Sequence, residues 1–411
     1  MKKSKHIVIL GAGFGGYEAY KALPQWIHKE HTVTVIDKKN HFLFTPLLPE
    51  VAGSSLDQHS IVAPLRDILH KDTRFINKKV VKVNTDTQIV SLEGEDIEYD
   101  YLISALGAET FFYGTPGAEE HCLVLKHLED AVAIRNICID VFEQASQIES
   151  KEERAQLLSF MVVGAGPTGA ELAGEMGELL FNTLLKQHPR ITRDEVSLHI
   201  VNGGPRILQM FDESLSAYAQ KSLEQNHIRI SNNVRINEVQ EGKAITAEGE
   251  ALTAYTIIWT AGVSAIDLTC ECGSFEKERG RIFTKRTLQA KNNDNVFVVG
   301  DMALFPTEDG RGLPMTAQVA HQQGECAGNN LVALMRGKEL KEFTYKEKGL
   351  LASLGSFDAI GQVNGFKVKG VFAWLVWRSV YWILFGFWRK RIAILGEWIR
   401  NLFVPRDTSR L

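Results

Sequence analysis

Cysteine is scarce: 411 residues contain five, Cys122, Cys138, Cys270, Cys272 and Cys326, and none forms a C-x-x-C pair. That excludes a disulfide framework and a dithiol redox centre, and it fits a reducing cytosol. There is no excess of basic charge either. The formal net charge is -4, so nothing in the balance asks for nucleic acid. No D-x-[DN]-x-[DN]-G loop occurs, so a calcium loop of that form is absent, and no metal is expected. The start, MKKSKHIVILGAGFGG, is not expected to be a signal peptide. The apolar run Ile7 to Leu10 is too short for one, and Glu18 would interrupt it. The remaining composition, 45% hydrophobic and 23% charged, is that of a globular chain long enough for two or three domains.

What is present begins at His6. Ile7 to Leu10 reads as a buried parallel strand, and Gly11, Gly13 and Gly16 follow in G-x-G-x-x-G spacing before a helix. Such a turn lets a pyrophosphate approach the backbone and meet the free N–H groups of the helix start. A second strand, Thr32 to Ile36, ends in Asp37, where a carboxylate would hold a ribose. The whole pattern then recurs. Phe160 to Val163 leads into Gly164, Gly166, Pro167, Thr168 and Gly169, with Glu171 in the following helix. One dinucleotide fold suits a dehydrogenase, whereas two in one chain suit a flavoprotein that takes hydride from a nicotinamide nucleotide.

Between and after these turns lie further candidate contacts. The loop Asn40 to Ser55 carries Pro46 and Pro49, which are expected to rule out a regular helix or a central strand. Its apolar residues, Leu47 among them, suit either a flat aromatic ring or simple core packing. Val80 to Val83, Gln88 to Leu92 and Tyr99 to Ser104 read as strands, the last running into Ala105 and Gly107. Small residues at a strand end are expected where a ligand crosses a sheet. Ala261 and Gly262, after Ile257 to Trp259, repeat that form. Asn295 to Val299 ends in Gly300 and Asp301, a third nucleotide-facing strand end. Phe14, Gly15, Lys38, Val80 and Ala317 complete the residues expected at the first nucleotide. A helical stretch is expected from Glu129 to Glu149, ending in the charged run ESKEER. Pro314 to Gly324 opens another helix, with Gln318 and Gln322 on one face. At the end of the second unit's second strand stands Asn202, where a carboxylate is usual, followed by Gly203 and Arg206. Asn202 would not repel a 2′-phosphate and Arg206 can pair with one, so NADPH is expected to serve at least as well as NADH. Asn202 also suits a turn cap.

Val371 to Trp388 has 18 residues, four tryptophans and one charge, Arg378. A mid-stretch arginine and scattered tryptophans disfavour a span and favour a helix lying in a membrane interface. A tail packed on the protein or on a partner copy is the other reading.

These motifs, GAGFGG, GAGPTGAELAGE, FTPLLPEVA, VFVVGD and above all AQVAHQQG, resemble the type II NAD(P)H:quinone oxidoreductases over about residues 5–403. The resemblance implies an α/β fold with two Rossmann-like dinucleotide-binding domains and a C-terminal membrane-associating helical segment. It implies non-covalent FAD, NADH or NADPH as donor, and a menaquinone- or ubiquinone-type acceptor reduced without proton pumping. Glu171, Gln318 and Gln322 would be the catalytic group, Glu171 beside the nicotinamide and flavin and the glutamines beside the quinone. The residue at position 202 is usually Glu in NADH-using members, so Asn202 departs from the pattern. The expected layout is an FAD domain in 1–119 and 261–345, an NAD(P)H domain in 120–260 and a membrane-anchoring region in 346–411. The protein is expected on the cytoplasmic face of the cell membrane, as a peripheral, monotopic protein able to form a homodimer. A ferredoxin or rubredoxin reductase and a redox-sensing flavoprotein are the competing functions.

Overall fold

The computed structural model describes residues 4–267, 275–308, 310–363 and 365–410. Cys270 and Cys272 lie outside the described residues. The chain forms two compact units. The first comprises Met1–Leu43, Ala63–Glu109 and Val263–Glu347, and the second Phe44–Val62, Thr110–Gly262 and Lys348–Leu411.

The first unit is built on a six-stranded sheet. Its order is Gln289–Ala290, Asn293–Val298, Tyr101–Ser104, His6–Leu10, Thr32–Asp37 and Arg74–Asn77. All pairings are parallel except at the Gln289–Ala290 edge. Ile7, Val8, Ile9 and Leu10 are wholly buried, as an unbroken apolar run between two covered faces requires. A three-stranded antiparallel sheet, Val80–Asn84, Ile89–Leu92 and Glu95–Glu98, alternates its burial. It packs Val83, Val90, Leu92 and Ile97 against Val8, Leu10, Ile36 and Leu102. The helix Ala317–Met335 lies on Phe14–Lys21 so closely that methyl groups at Gly324 and Gly328 would fall 2.2 and 2.4 Å from the Gly15 and Ala19 carbonyl oxygens.

The second unit repeats the theme with five parallel strands in the order Leu123–Val124, Thr256–Trp259, Ser159–Val163, Ser197–Asn202 and Ile228–Asn232. The charged run ESKEER starts a helix instead of ending one. Leu128–Ser146 stops first, and Ser150 then caps Lys151–Leu157 by accepting from the Glu153 N–H. The prolines of the 40–55 loop do not prevent helix there. Pro46 and Pro49 sit in the opening positions of a 3₁₀ turn, Thr45–Leu47, and a helix, Leu48–Ala52. A missing N–H costs nothing at those positions, because first-turn donors have no partner within the helix.

The C-terminal part of this unit is a three-stranded antiparallel sheet, Leu350–Ser353, Ala359–Val363 and Phe366–Lys369, followed by two helices, Gly370–Leu384 and Trp388–Arg400. The stretch Val371 to Trp388 is therefore not one helix. It breaks at Phe385 to Phe387, where the Arg391 guanidinium donates to the Phe385 and Ile383 carbonyls and the Trp382 indole donates to the Arg391 carbonyl. Among the described residues, no helix is long and apolar enough to cross a membrane.

Candidate functional site

The first glycine turn lies wholly in the first unit. Gly11 has φ +87°, and a methyl there would fall 2.3 Å from the Ala105 carbonyl oxygen. At Gly16 a methyl would fall 1.8 Å from the Gly11 carbonyl oxygen. Both positions are glycine because the strand, turn and helix touch. Gly13 differs: a methyl there meets nothing within 4 Å, so its face is open. The helix Phe14–Lys21 starts at Gly13 with no side chain capping it, which leaves its N–H groups for a ligand. Gly15 is buried in that helix, and the Phe14 ring packs edge-on against Phe42 at 5.2 Å. Asp37 accepts from the Ala12 N–H (2.7 Å) and the Lys39 N–H (2.8 Å), which fixes its carboxylate at the rim of the turn. Lys38 is paired with Glu109 at 2.6 Å. Gly107 (φ +81°) also faces open space, and Val80 is half-buried against the core. The donors and open faces fit a dinucleotide.

Gly300 (φ +68°) and Asp301 begin a short 3₁₀ turn after the strand Asn293–Val298. A residue absent from the sequence reading holds this turn. Gln323 is buried, and its Oε1 accepts from the Gly300 N–H at 2.7 Å. Ala320, Gln323, Ala327 and Leu331 are the buried face of Ala317–Met335, so helical spacing carried the signal for it. Thr316 caps the start of that helix, at Ala317, by accepting from the Val319 N–H. The two glutamines picked from sequence point elsewhere. Gln318 Oε1 accepts from the Tyr345 hydroxyl at 3.1 Å. Gln322 grips the Lys346 backbone in both directions, donating to its carbonyl (3.0 Å) and accepting from its N–H (3.1 Å). Pro46 and Leu47 belong to the second unit, where Leu47 is buried.

The second glycine turn has the same construction within the second unit. Gly164 (φ +107°) is pressed against Ala261, Gly169 against the Gly164 carbonyl, and Gly166 faces open space. Pro167 opens the helix Pro167–Gly177, and Thr168 is exposed beside it. Asn202, nearly buried, turns its amide into its own loop and donates to the Gly204 and Arg206 carbonyls and to Asn232 Oδ1. Its Oδ1 accepts from the Gly204 N–H, next to Gly203. The Arg206 guanidinium is held by the Phe211 and Gln209 carbonyls and the Ser216 hydroxyl. Both side chains organise the loop.

The second unit also buries a group of charges. Glu171 Oε1 accepts from the Ser353 N–H (3.0 Å) and the Trp377 indole (3.1 Å). One turn along, Glu175 pairs with Arg406 at 2.8 Å. Glu50 accepts from the Trp398 indole at 2.8 Å and faces Arg378 at 3.6 Å. The three carboxyl groups are 2 to 7% exposed. Burial pushes Glu171 up to about 8 and Glu50 up to about 7. Sequence reasoning found Glu171 and missed Glu50 and Glu175. Glu175 stands four residues after Glu171, so it repeats on one helix face. Glu50 had no local signal, because its partners lie more than 300 residues away.

Two glycine turns, each closing a parallel sheet onto a helix, define a class of nucleotide-dependent oxidoreductases. Residues 5–324 match the family model described as pyridine nucleotide-disulphide oxidoreductase, and residues 348–407 match the NDH2 C-terminal domain. The chain is 32% identical over 422 residues to a probable NADH dehydrogenase of Dictyostelium discoideum, covering 99% of this chain and 91% of the relative. It is 32% identical over 373 residues to a type II NADH:quinone oxidoreductase of Staphylococcus aureus, covering 89% and 91%. The solved structure of NDH2 from Plasmodium falciparum in complex with NADH superposes with a TM-score of 0.91 at 20% identity, over 99% of this chain and 100% of that one, which shows the shared fold. The chain belongs to the type II NADH:quinone oxidoreductase family.

Proposed function

We propose that this protein passes a hydride from NADH to bound FAD and two electrons onward to a menaquinone- or ubiquinone-type quinone, at the cytoplasmic face of a membrane. The observation that carries the reading is the pair of open turns at Gly13 and Gly166 in one chain that ends in an NDH2 C-terminal domain. FAD would be held by Gly11 to Gly16, Asp37, Gly107, Gly300 and Asp301. When bound, the flavin supplies the two-electron chemistry, and the chain supplies position and charge. The nicotinamide nucleotide would be held by Gly164 to Gly169, Gly203, Ala261 and Gly262. Reduction of a quinone by NADH consumes one proton beyond the hydride. Glu171, a buried carboxyl pushed up to about 8, can hold one at neutral pH.

For nucleotide choice, the absence of a carboxylate at Asn202 removes repulsion of a 2′-phosphate, while Arg206 spends its donors inside the loop. NADH and NADPH should therefore differ by no more than about tenfold in kcat/KM, about 1.4 kcal/mol. The helices Gly370–Leu384 and Trp388–Arg400 would reach about 22 and 20 Å at 1.5 Å per residue, less than a bilayer core of about 30 Å. Phe372, Leu375, Trp388, Ile392 and Ile399 are exposed along them, and Phe403 just past the second, which suits a pair lying in the interface. A soluble electron-carrier protein as acceptor would leave that apolar row without a purpose.

Steady-state oxidation of NADH and NADPH with a soluble quinone, together with identification of the flavin released on denaturation, tests the proposal. Quinone-dependent turnover above about 1 s⁻¹ and FAD are expected. FMN, or turnover far below that rate, would overturn it.

A further inference from the structure

The second unit presents an aromatic pair at the mouth of its sheet. Phe111 and Tyr113 are 42% and 56% exposed, with rings edge to face at 4.7 Å. Tyr113 has φ +55° and Gly114 φ +69°. A non-glycine residue in the left-handed region is uncommon, and such strain persists where the surroundings enforce it. Here they do. The Phe111 N–H donates to the Gly262 carbonyl at 3.0 Å, and the Trp259 indole donates to the Phe111 carbonyl at 3.1 Å. The Tyr113 hydroxyl reaches the Ala261 carbonyl at 3.4 Å. The ring lies over Gly262, where a methyl would fall 2.6 Å from it. An aromatic side chain is thus held half in water, against a bare backbone, in a conformation that costs free energy.

Sheet order says which part of a ligand would meet it. The glycine turn follows Ser159–Val163, which has Ser197–Asn202 on one side and Thr256–Trp259 on the other. A dinucleotide whose pyrophosphate sits on that turn extends one nucleoside toward each neighbouring strand end. The adenosine ribose belongs at the end of the second strand, Asn202. The nicotinamide riboside then runs toward Thr260 to Gly262, where Tyr113 waits.

We propose that Tyr113 is a positioning residue whose ring packs against the nicotinamide riboside half of the bound dinucleotide. This rests on the nucleotide reading given above. Gly262 serves it by leaving room for the ring, and Phe111 braces the ring edge-on. Aromatic faces suit this partner because a nicotinamide ring is flat and sheds water on stacking.

The test uses full-length, flavin-loaded protein and two probes: NADH, and ADP, which keeps the adenosine and both phosphates but lacks the riboside. For Tyr113→Ala and Tyr113→Leu, the Kd for NADH should rise about tenfold while that for ADP changes less than about twofold. Tyr113→Phe should restore NADH binding. Gly262→Ala, which would displace the ring, should copy the selective loss. Equal weakening of both probes would make Tyr113 a purely structural residue and overturn the proposal, as would unchanged NADH binding in the folded variants. If the wild type binds neither probe, the nucleotide reading itself fails, which is a separate outcome.

Discussion

Glu171 is held by two donors, the Ser353 N–H and the Trp377 indole, yet burial keeps its proton on well above the ordinary carboxylate range. The consequence for stability has a definite sign. In the unfolded chain this group loses its proton near 4.5, and in the folded protein near 8. Between those values the folded state binds more protons, so stability falls as pH rises through the window and levels off above it. The loss is on the order of a few kcal/mol, shared with Glu50. Glu171→Gln should make the fall in urea-unfolding stability between pH 6 and 8 shallower than in the wild type, leaving the part due to Glu50. A wild-type profile that rises over that range would contradict the burial argument. The same substitution should slow quinone turnover at neutral pH more than it slows reduction of the flavin by NADH, because only the former takes up the proton; stopped-flow separates the two.

At the scale of elements, the glycines of one turn do different things, and substitutions should separate them. A methyl at Gly16 collides with backbone, so Gly16→Ala should cost about 3 kcal/mol or more in unfolding of the flavin-free protein. A methyl at Gly13 meets open space, so Gly13→Ala should leave that stability within about 0.5 kcal/mol while the flavin-to-protein ratio falls. Flavin content by absorbance and urea midpoints by fluorescence read the two effects. Strand, turn and helix were legible in sequence at both turns because their geometry is set within about 15 residues by apolar runs and glycine spacing. The glutamine that supports Gly300 was not singled out in the sequence. Gln318 and Gln322 were read as one polar face beside a quinone, whereas Gln323 lies on the buried face of the same helix, among Ala320, Ala327 and Leu331. The prolines misled for a related reason: their cost depends on position within a helix, and Pro46 and Pro49 occupy the positions where it vanishes.

Across the whole molecule, the 348–411 segment belongs to the second unit rather than hanging from it. Trp377, Phe385, Ile394 and Trp398 are buried, and Arg378, Arg406 and both tryptophan indoles meet the carboxyl groups of Glu50, Glu171 and Glu175. No local pattern could show this, because these pairs join residues 206 to 348 positions apart. The membrane binding proposed above would therefore use exposed positions of the same helices whose buried positions serve folding. Phe372→Glu combined with Phe403→Glu, at exposed positions, should lower co-sedimentation with anionic lipid vesicles at least tenfold and leave turnover with a soluble quinone intact. Deleting residues 371–411 should instead yield protein that is protease-sensitive, since it strips partners from three buried carboxyl groups. A deletion product that stayed folded would show the segment to be an appendage.

The lacing of Glu50, Glu171 and Glu175 to Trp377, Arg378, Trp398 and Arg406 also sets an order of events during synthesis. A ribosome makes the carboxyl groups first and their partners some 200 to 350 codons later. At about 5–20 residues per second, the nascent second unit spends roughly 10 to 70 seconds with those acids unmatched. Until then the acids stay in water, and this body cannot close around them. Chaperone dependence should accordingly rise for messages that stall between the codons for Glu171 and Trp377.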